Sequence, residues 1–300
     1  MKKIILTLLV ISMVAVLGVG LTACNSATPQ GQLSDLLSNH NHEVFEYDVQ
    51  RYDVTNKTYA TERGTYTVKL DAFKKGPVEL GSRTIENAEQ GIRVTGKLIF
   101  GTTVYDMGCY YNLVSGTSYM VPAYSYRKIS VGGQQTFEMN GKYNGTSFEC
   151  ERTVGDEQLN DTLKLSGTIF DNNQFQQVLR SLPSSSFSSM NLTFNTPIAS
   201  ASAATAVTLV ARNNSTEYVK CEYSDSIESL AETGINCYRV ALGRTTEVAG
   251  VSHTLYYAID EMKYNGWGMK NILVKIIEPY TDADRNPYEM HYTLVSASLS

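Results

Sequence analysis

The sequence predicts a mainly β protein: a curved antiparallel half-barrel, in effect a long β meander, with one short helix packed on its concave face. Three observations carry this reading. From residue 44 onward apolar and polar residues alternate with the period of a strand. Paired turn residues, Gly132-Gly133, Asn140-Gly141, Asn144-Gly145 and Asn265-Gly266, interrupt the runs as tight hairpins would. One stretch alone, 171–182, repeats at the helical period. Alternation that keeps one face polar argues for antiparallel pairing, since parallel strands are usually buried on both faces.

The first element is a leader. Lys2 and Lys3 precede an apolar run from Ile4 to Val19, and Leu21-Thr22-Ala23-Cys24 follows. A positive start, an apolar core and small residues before a cut describe a secretory signal peptide, residues 1–23. The Leu-Thr-Ala-Cys string resembles the lipobox of bacterial lipoproteins, which implies a diacylglycerol thioether on Cys24. An uncleaved membrane anchor is the other reading of the run. Two acyl chains are the level at which lipid anchoring becomes stable. Residues 24–43 are polar and weakly patterned, a flexible tether that holds His40 and His42; a metal site would need more ligands from fixed elements.

Residues 44–300 then read as a single β domain, with a division into two sheets near residue 184 as the other arrangement. Phe45, Tyr47 and Val49 share one parity, as do Tyr66, Val68 and Leu70, and then Ile92, Val94, Leu98 and Phe100. Tyr105, Met107, Cys109, Tyr111 and Leu113 form the next apolar row, and Phe148, Cys150 and Val154 another. After a Ser-rich segment the same grammar resumes through Val219, Cys221 and Tyr223 and through Tyr238, Val240 and Leu242. Leu255, Tyr257 and Ile259, then Ile272, Val274 and Ile276, then Tyr288, Met290, Tyr292 and Leu294 complete it.

The helix has its own signals. Asp171 or Asn172 stands at the cap position, Phe175, Val178, Leu179 and Leu182 recur at i, i+3, i+4 and i+7, and Pro183 ends it. A twisted sheet with one apolar face curls, and its open side needs a cover. The helix is expected to be that cover, and Phe175, Val178, Leu179 and Leu182 are the candidate ligand-binding residues. A second short turn is expected around Ile227, Leu230 and Ala231.

The segment Gly167–Pro183, with Asp171-Asn172 and Arg180-Ser-Leu-Pro183, the pair Cys221…Cys237-Tyr-Arg-Val240 and the strand Leu273-Val-Lys275 resemble a group of uncharacterised bacterial secreted proteins and lipoproteins. The likeness is concentrated in residues 167–183 and 219–278. That group looks like the half-barrel carriers of the LolA and LppX kind. The resemblance implies a curved sheet whose helix-covered concavity holds an acyl chain; it supplies no catalytic residue.

Composition narrows the function. Loss of Lys2 and Lys3 with the leader takes the formal charge from −5 to −7, and no basic stripe offsets it, so nucleic-acid binding is excluded. Four cysteines remain beyond Cys24. Outside the cytoplasm an even number favours disulfides: Cys221 with Cys237, because strand-like runs holding them flank one loop, and Cys109 with Cys150 by elimination. Four reduced, buried thiols are the other reading. No metal site or cofactor is expected. Ser125-x-x-Lys128 has the spacing of penicillin-recognising hydrolases in a strand context, where it carries no chemistry. Asp282-x-Asp284-x-Asn286 starts a calcium loop, but Pro287 and Thr293 fall where glycine and glutamate are needed. His253, His291, Glu149 and Glu151 have no sequence partner that makes a catalytic set.

The expectation is therefore a non-enzymatic bacterial lipoprotein on the extracytoplasmic face of the cell envelope. It is held to the membrane through Cys24 and carries an apolar or amphipathic ligand in its concavity. The alternative is a structural or assembly lipoprotein with a filled core and a protein partner. A surface hydrolase would show turnover that depends on His253 or His291. Twenty tyrosines against one tryptophan suit sheet packing, and also apolar cavities with polar mouths.

Overall fold

The computed structural model describes residues 41–114, 119–220, 234–244, 251–264, 267–281 and 285–299. The first half holds β1 (His42–Asp53), β2 (Thr58–Phe73), β3 (Gly76–Leu80), β4 (Arg83–Ala88), β5 (Gly91–Phe100), β6 (Thr103–Leu113), β7 (Met120–Val131), β8 (Gln134–Asn144), β9 (Ser147–Val154) and β10 (Glu157–Lys164). A helical segment follows: α1 (Phe175–Val178), a 3-10 turn (Leu179–Ser181) and α2 (Ser184–Phe187). The second half holds β11 (Asn191–Ala199), β12 (Ala204–Val219), β13 (Ile235–Arg244), β14 (Val251–Ala258), β15 (Met262–Tyr264), β16 (Trp267–Met269), β17 (Leu273–Thr281) and β18 (Pro287–Leu299).

One 14-stranded antiparallel sheet runs through both halves in the order β10, β9, β8, β7, β6, β5, β2, β1, β18, β17, β14, β13, β12, β11. The first and last strands lie side by side at its middle, Glu43 opposite Leu299 and Asp53 opposite Tyr288. Twist curls the sheet into a nearly closed barrel. Its two edges are drawn together by the Arg152 side chain on β9, which pairs with Asp161 at 2.6 Å and donates 2.8 Å to the Ser200 carbonyl beyond β11. At the middle of β11 the closure is a short parallel bridge, with Asn195 N–H donating to Thr168 O and Phe170 N–H to Asn195 O.

The inward parity is the one the alternation predicts. Phe45, Tyr47, Val49, Val68, Leu70, Ile92, Val94 and Leu294 are all buried in one continuous core. Outside the barrel wall, the small hairpin of β3 and β4 packs Val78, Leu80 and Ile85 over Tyr110 and Tyr126 as a separate cluster. This hairpin was not expected.

Three readings are corrected. Cys109 and Cys150 both face inward and are buried, but they form no bridge. The register explains it: Cys109 lies opposite Ser125, Ser125 opposite Gly141, and Gly141 opposite Cys150. Three strand spacings of roughly 4.8 Å separate the two cysteines, whereas a disulfide needs Cα atoms within about 7 Å. The expected partner of Cys237, Cys221, lies outside the described residues. Asn140-Gly141 is no turn but the middle of β8. A Cβ on Gly141 would stand 2.3 Å from the Phe148 ring, so the glycine gives up its side-chain space to that aromatic. The helix is shorter than 171–182: it is capped at Gln174 without a side-chain bond, while the Asp171 carboxylate instead accepts from Asn173 N–H two residues on. Leu182 is extended, as the residue before a proline must be. The expected turns at Gly132-Gly133 and Asn144-Gly145 do join strands, with left-handed φ at Gly132, Gly133 and Gly145. Asn265-Gly266 and the turn around Ile227, Leu230 and Ala231 lie outside the described residues.

Candidate functional site

The connection from β10 to β11 crosses the barrel interior as a plug, and its polar groups fasten it to strands all round the wall. Asp171 N–H donates 2.9 Å to the Tyr111 hydroxyl, and Tyr143 donates 2.8 Å to the Asp171 carboxylate. Asn173 donates to Ser125 Oγ and to the Tyr126 carbonyl. Gln177 donates to the Tyr47 hydroxyl, which itself donates to Leu273 O. On the far side Tyr257 donates 2.7 Å to Gln176 O, and Asn271 donates to the carbonyls of Arg180 and Leu182. Arg180 reaches Glu43 at 2.9 Å, both side chains 1% exposed, and lies over the Phe45 ring. Buried polar groups of this kind hold only when they are paired.

Burial pushes the Asp171 carboxyl up to about 6, against the hydrogen bonds from Ser125, Tyr143 and Asn173 that lower it. Burial likewise pushes the Cys109 thiol and the Tyr111 and Tyr143 hydroxyls up. The thiol and both hydroxyls remain protonated at neutral pH, and they seat the plug from both sides of a hydrogen bond: Tyr143 donates to the Asp171 carboxylate and Tyr111 accepts from Asp171 N–H.

The plug fills one end of the barrel, where β1 begins, and leaves a cavity of about 420 Å³ between α1 and the wall at the other end. Six aromatic residues, Tyr66, Phe100, Tyr105, Phe175, Tyr280 and Tyr292, line it. Leu98, Met107, Ile276 and Met290 add apolar surface, and Thr103 stands beside the turn from β5 to β6. The polar lining is Arg127, His253, Glu278, Asn172, Asn173 and Gln176. His253 Nε2 approaches Glu278 Oε1 at 3.3 Å, and the Tyr292 hydroxyl donates 3.1 Å to Oε2 of the same carboxylate. Burial alone would raise the Glu278 carboxyl. The hydrogen bond and charge of His253, the Tyr292 hydroxyl and the charge of Arg127 together outweigh it and hold the group below its ordinary value. Glu278 is thus an anion at neutral pH.

Of the residues expected to bind ligand, Phe175 lines the cavity, edge-on to His253 at 5.8 Å. Val178, Leu179 and Leu182 are 0–1% exposed in the core, where they anchor the plug. His291 lies on the outer face of β18, stacked on Tyr52 and bonded to Tyr59 and Glu289, so the barrel wall separates it from His253. Ser125 is held inside by Asn173, and Lys128, three residues along the strand, lies on the opposite, outer face near Tyr126. Glu151 pairs with Arg83 on the outer hairpin and Glu149 with Asn144. Residues 282–284 and Cys24 lie outside the described residues. Among the described residues no helix is long and apolar enough to cross a membrane, and no three of His, Cys, Asp and Glu converge as a metal site.

Sequence reasoning missed Arg127, His253 and Glu278 as one group. The signal was parity: Ser125 and Arg127 alternate on β7, and Ile276, Glu278 and Tyr280 alternate on β17. A charged residue in each row shares the apolar face.

No protein-family model matches the chain, and no curated protein matches it. Among solved structures the chain is similar to the crystal structure of a beta-barrel-like protein of the domain of unknown function DUF1849 from Brucella abortus. The identity is 11%, the match covers 87% of this chain and 98% of that one, and the TM-score is 0.48. A second match, to the enduracididine biosynthesis enzyme MppR complexed with the condensation product of pyruvate and imidazole 4-carboxaldehyde, has 8% identity and a TM-score of 0.14 over 91% and 97% of the two chains.

Proposed function

We propose that the protein is a non-enzymatic envelope lipoprotein that binds an amphipathic small molecule in the mouth of its barrel. The observation that carries this is the cavity of about 420 Å³ left beside a plug that is otherwise tightly packed. Volumes of roughly 300–1,000 Å³, apolar walls and a few convergent polar groups characterise small-molecule sites. The alternative of a structural protein with a filled core is supported at the plugged end only.

The placement of β1 favours the anchored reading. The strand begins at His42 on the plugged side, and the cavity lies beyond Tyr66, near the level of Val49. About 20 Å of strand therefore separates the end of the tether from the mouth. A chain cleaved before Cys24 and lipidated there hangs from its closed end and leaves the mouth free. As a carrier it needs no turnover, and His253, engaged with Glu278, serves to position that carboxylate.

Native mass spectrometry of the purified protein, followed by organic extraction, is expected to show one adduct of a single small-molecule mass per chain that extraction removes. An undecorated chain that also fails to take up any added amphiphile would refute the reading and return attention to protein partners.

A further inference from the structure

The charges lining the cavity are engaged unequally. Glu278 is bonded to His253 and Tyr292. Arg127, on the inner face of β7 opposite Met107, makes no side-chain hydrogen bond or ion pair with any described residue, and its Nε is buried without a partner. A guanidinium presents five donors in a rigid fork and stays charged at any physiological pH. Leaving one unpaired beside aromatic walls is costly unless something outside the chain completes it.

We propose that the cavity takes an amphipathic monocarboxylate, whose carboxylate pairs with the Arg127 guanidinium while its apolar body lies against Tyr66, Phe100, Tyr105 and Tyr292. The inference rests on the cavity being a ligand site, and it adds the ligand's charge and the residue that selects it. The volume suits a single chain or a ring system rather than a diacyl lipid, because about 420 Å³ lies in the lower part of the small-molecule range. A fork-to-carboxylate pair is bidentate, which fixes the ligand's orientation as well as its charge. Glu278 acts on Arg127 only through space, by its charge, and leaves the fork of the guanidinium open, since no carboxylate oxygen of the described residues comes within ion-pair reach of it.

Three probes with one tail and different heads test this by titration calorimetry on the full mature chain: decanoate, decanol and decyltrimethylammonium. Decanoate is expected to bind about tenfold or more tightly than decanol, the factor one charge-assisted contact supplies. Arg127→Met is expected to bring decanoate down to the affinity of decanol while leaving decanol unchanged and the melting temperature intact. Arg127→Lys, which keeps the charge without the fork, is expected to fall between and covers the case in which the methionine variant does not fold. Equal binding of decanoate and decanol by the unaltered protein, tightest binding of the ammonium, or a decanoate preference that survives Arg127→Met each overturns the assignment while the cavity reading stands. Failure of all three probes to bind overturns both.

Discussion

Arg180→Ala is expected to lower the unfolding free energy by about 3–5 kcal/mol, the range found when one member of a buried ion pair is removed. The substitution takes from Glu43, 1% exposed, the guanidinium it is paired with inside the barrel, and it strips the Phe45 ring of the cation above it. The effect should fall on the plug first. Arg180 is the only basic residue of the helical segment and ties the 3-10 turn to β1, near the middle of the sheet. Glu43→Gln in the Arg180→Ala background should recover part of the loss, because it removes the buried charge. Urea melts of the two variants beside the parent check this. A loss within about 0.5 kcal/mol, the range of an ordinary surface substitution, would contradict the role given to the pair.

Asp171→Asn is expected to change the pH dependence of stability rather than the fold. Burial holds the folded carboxyl at about 6 against an ordinary 3.8. Between those values the folded chain keeps a proton that the unfolded chain has released. Stability contributed by this group is therefore fully present near pH 4 and lost as pH rises through 6, by up to about 3 kcal/mol, after which it levels. Asparagine keeps an acceptor for Asn173 N–H and sets an amide against the Tyr143 hydroxyl, so the network survives without the titration. The difference between the stabilities of parent and variant, taken from pH 4 to 7, should shift in favour of asparagine as pH rises, reaching half its full size near pH 5, between the two values, and levelling above 6. Other carboxylates cancel in that difference. Parallel curves would show that the group titrates normally.

The wall was legible in the sequence because a strand's period declares its inner face residue by residue. Phe45, Tyr47 and Val49 sit where alternation puts them, and so does Cys109. The interior helix was legible from Phe175, Val178, Leu179 and Leu182 before Pro183. The residues that support the family resemblance, Asp171 and Arg180 among them, are the ones that bolt the plug to the wall. Distances across the sheet were not legible. Cys109 and Cys150 have the right parity for a bridge and the wrong number of strands between them. Asn140-Gly141 has the composition of a turn, but only the packing of Phe148 reveals why a glycine belongs mid-strand. The cavity escaped for a related reason. It is lined by β2, β5, β6, β7, β14, β17 and β18 together with α1, and which side of the helix stays unfilled depends on how the plug is seated. The pairs that seat it join residues far apart in the chain, Glu43 and Arg180 by 137 positions.

The central claim, that the plug leaves an accessible apolar mouth, is tested most directly by titrating the neutral fluorescent probe N-phenyl-1-naphthylamine into the protein and into two variants, Thr103→Trp and Met290→Trp, each of which places an indole in the cavity. The parent is expected to bind one probe per chain, and both variants to lose that binding at an unchanged melting temperature. Binding undiminished in both variants, or no saturable binding by the parent, would contradict the account.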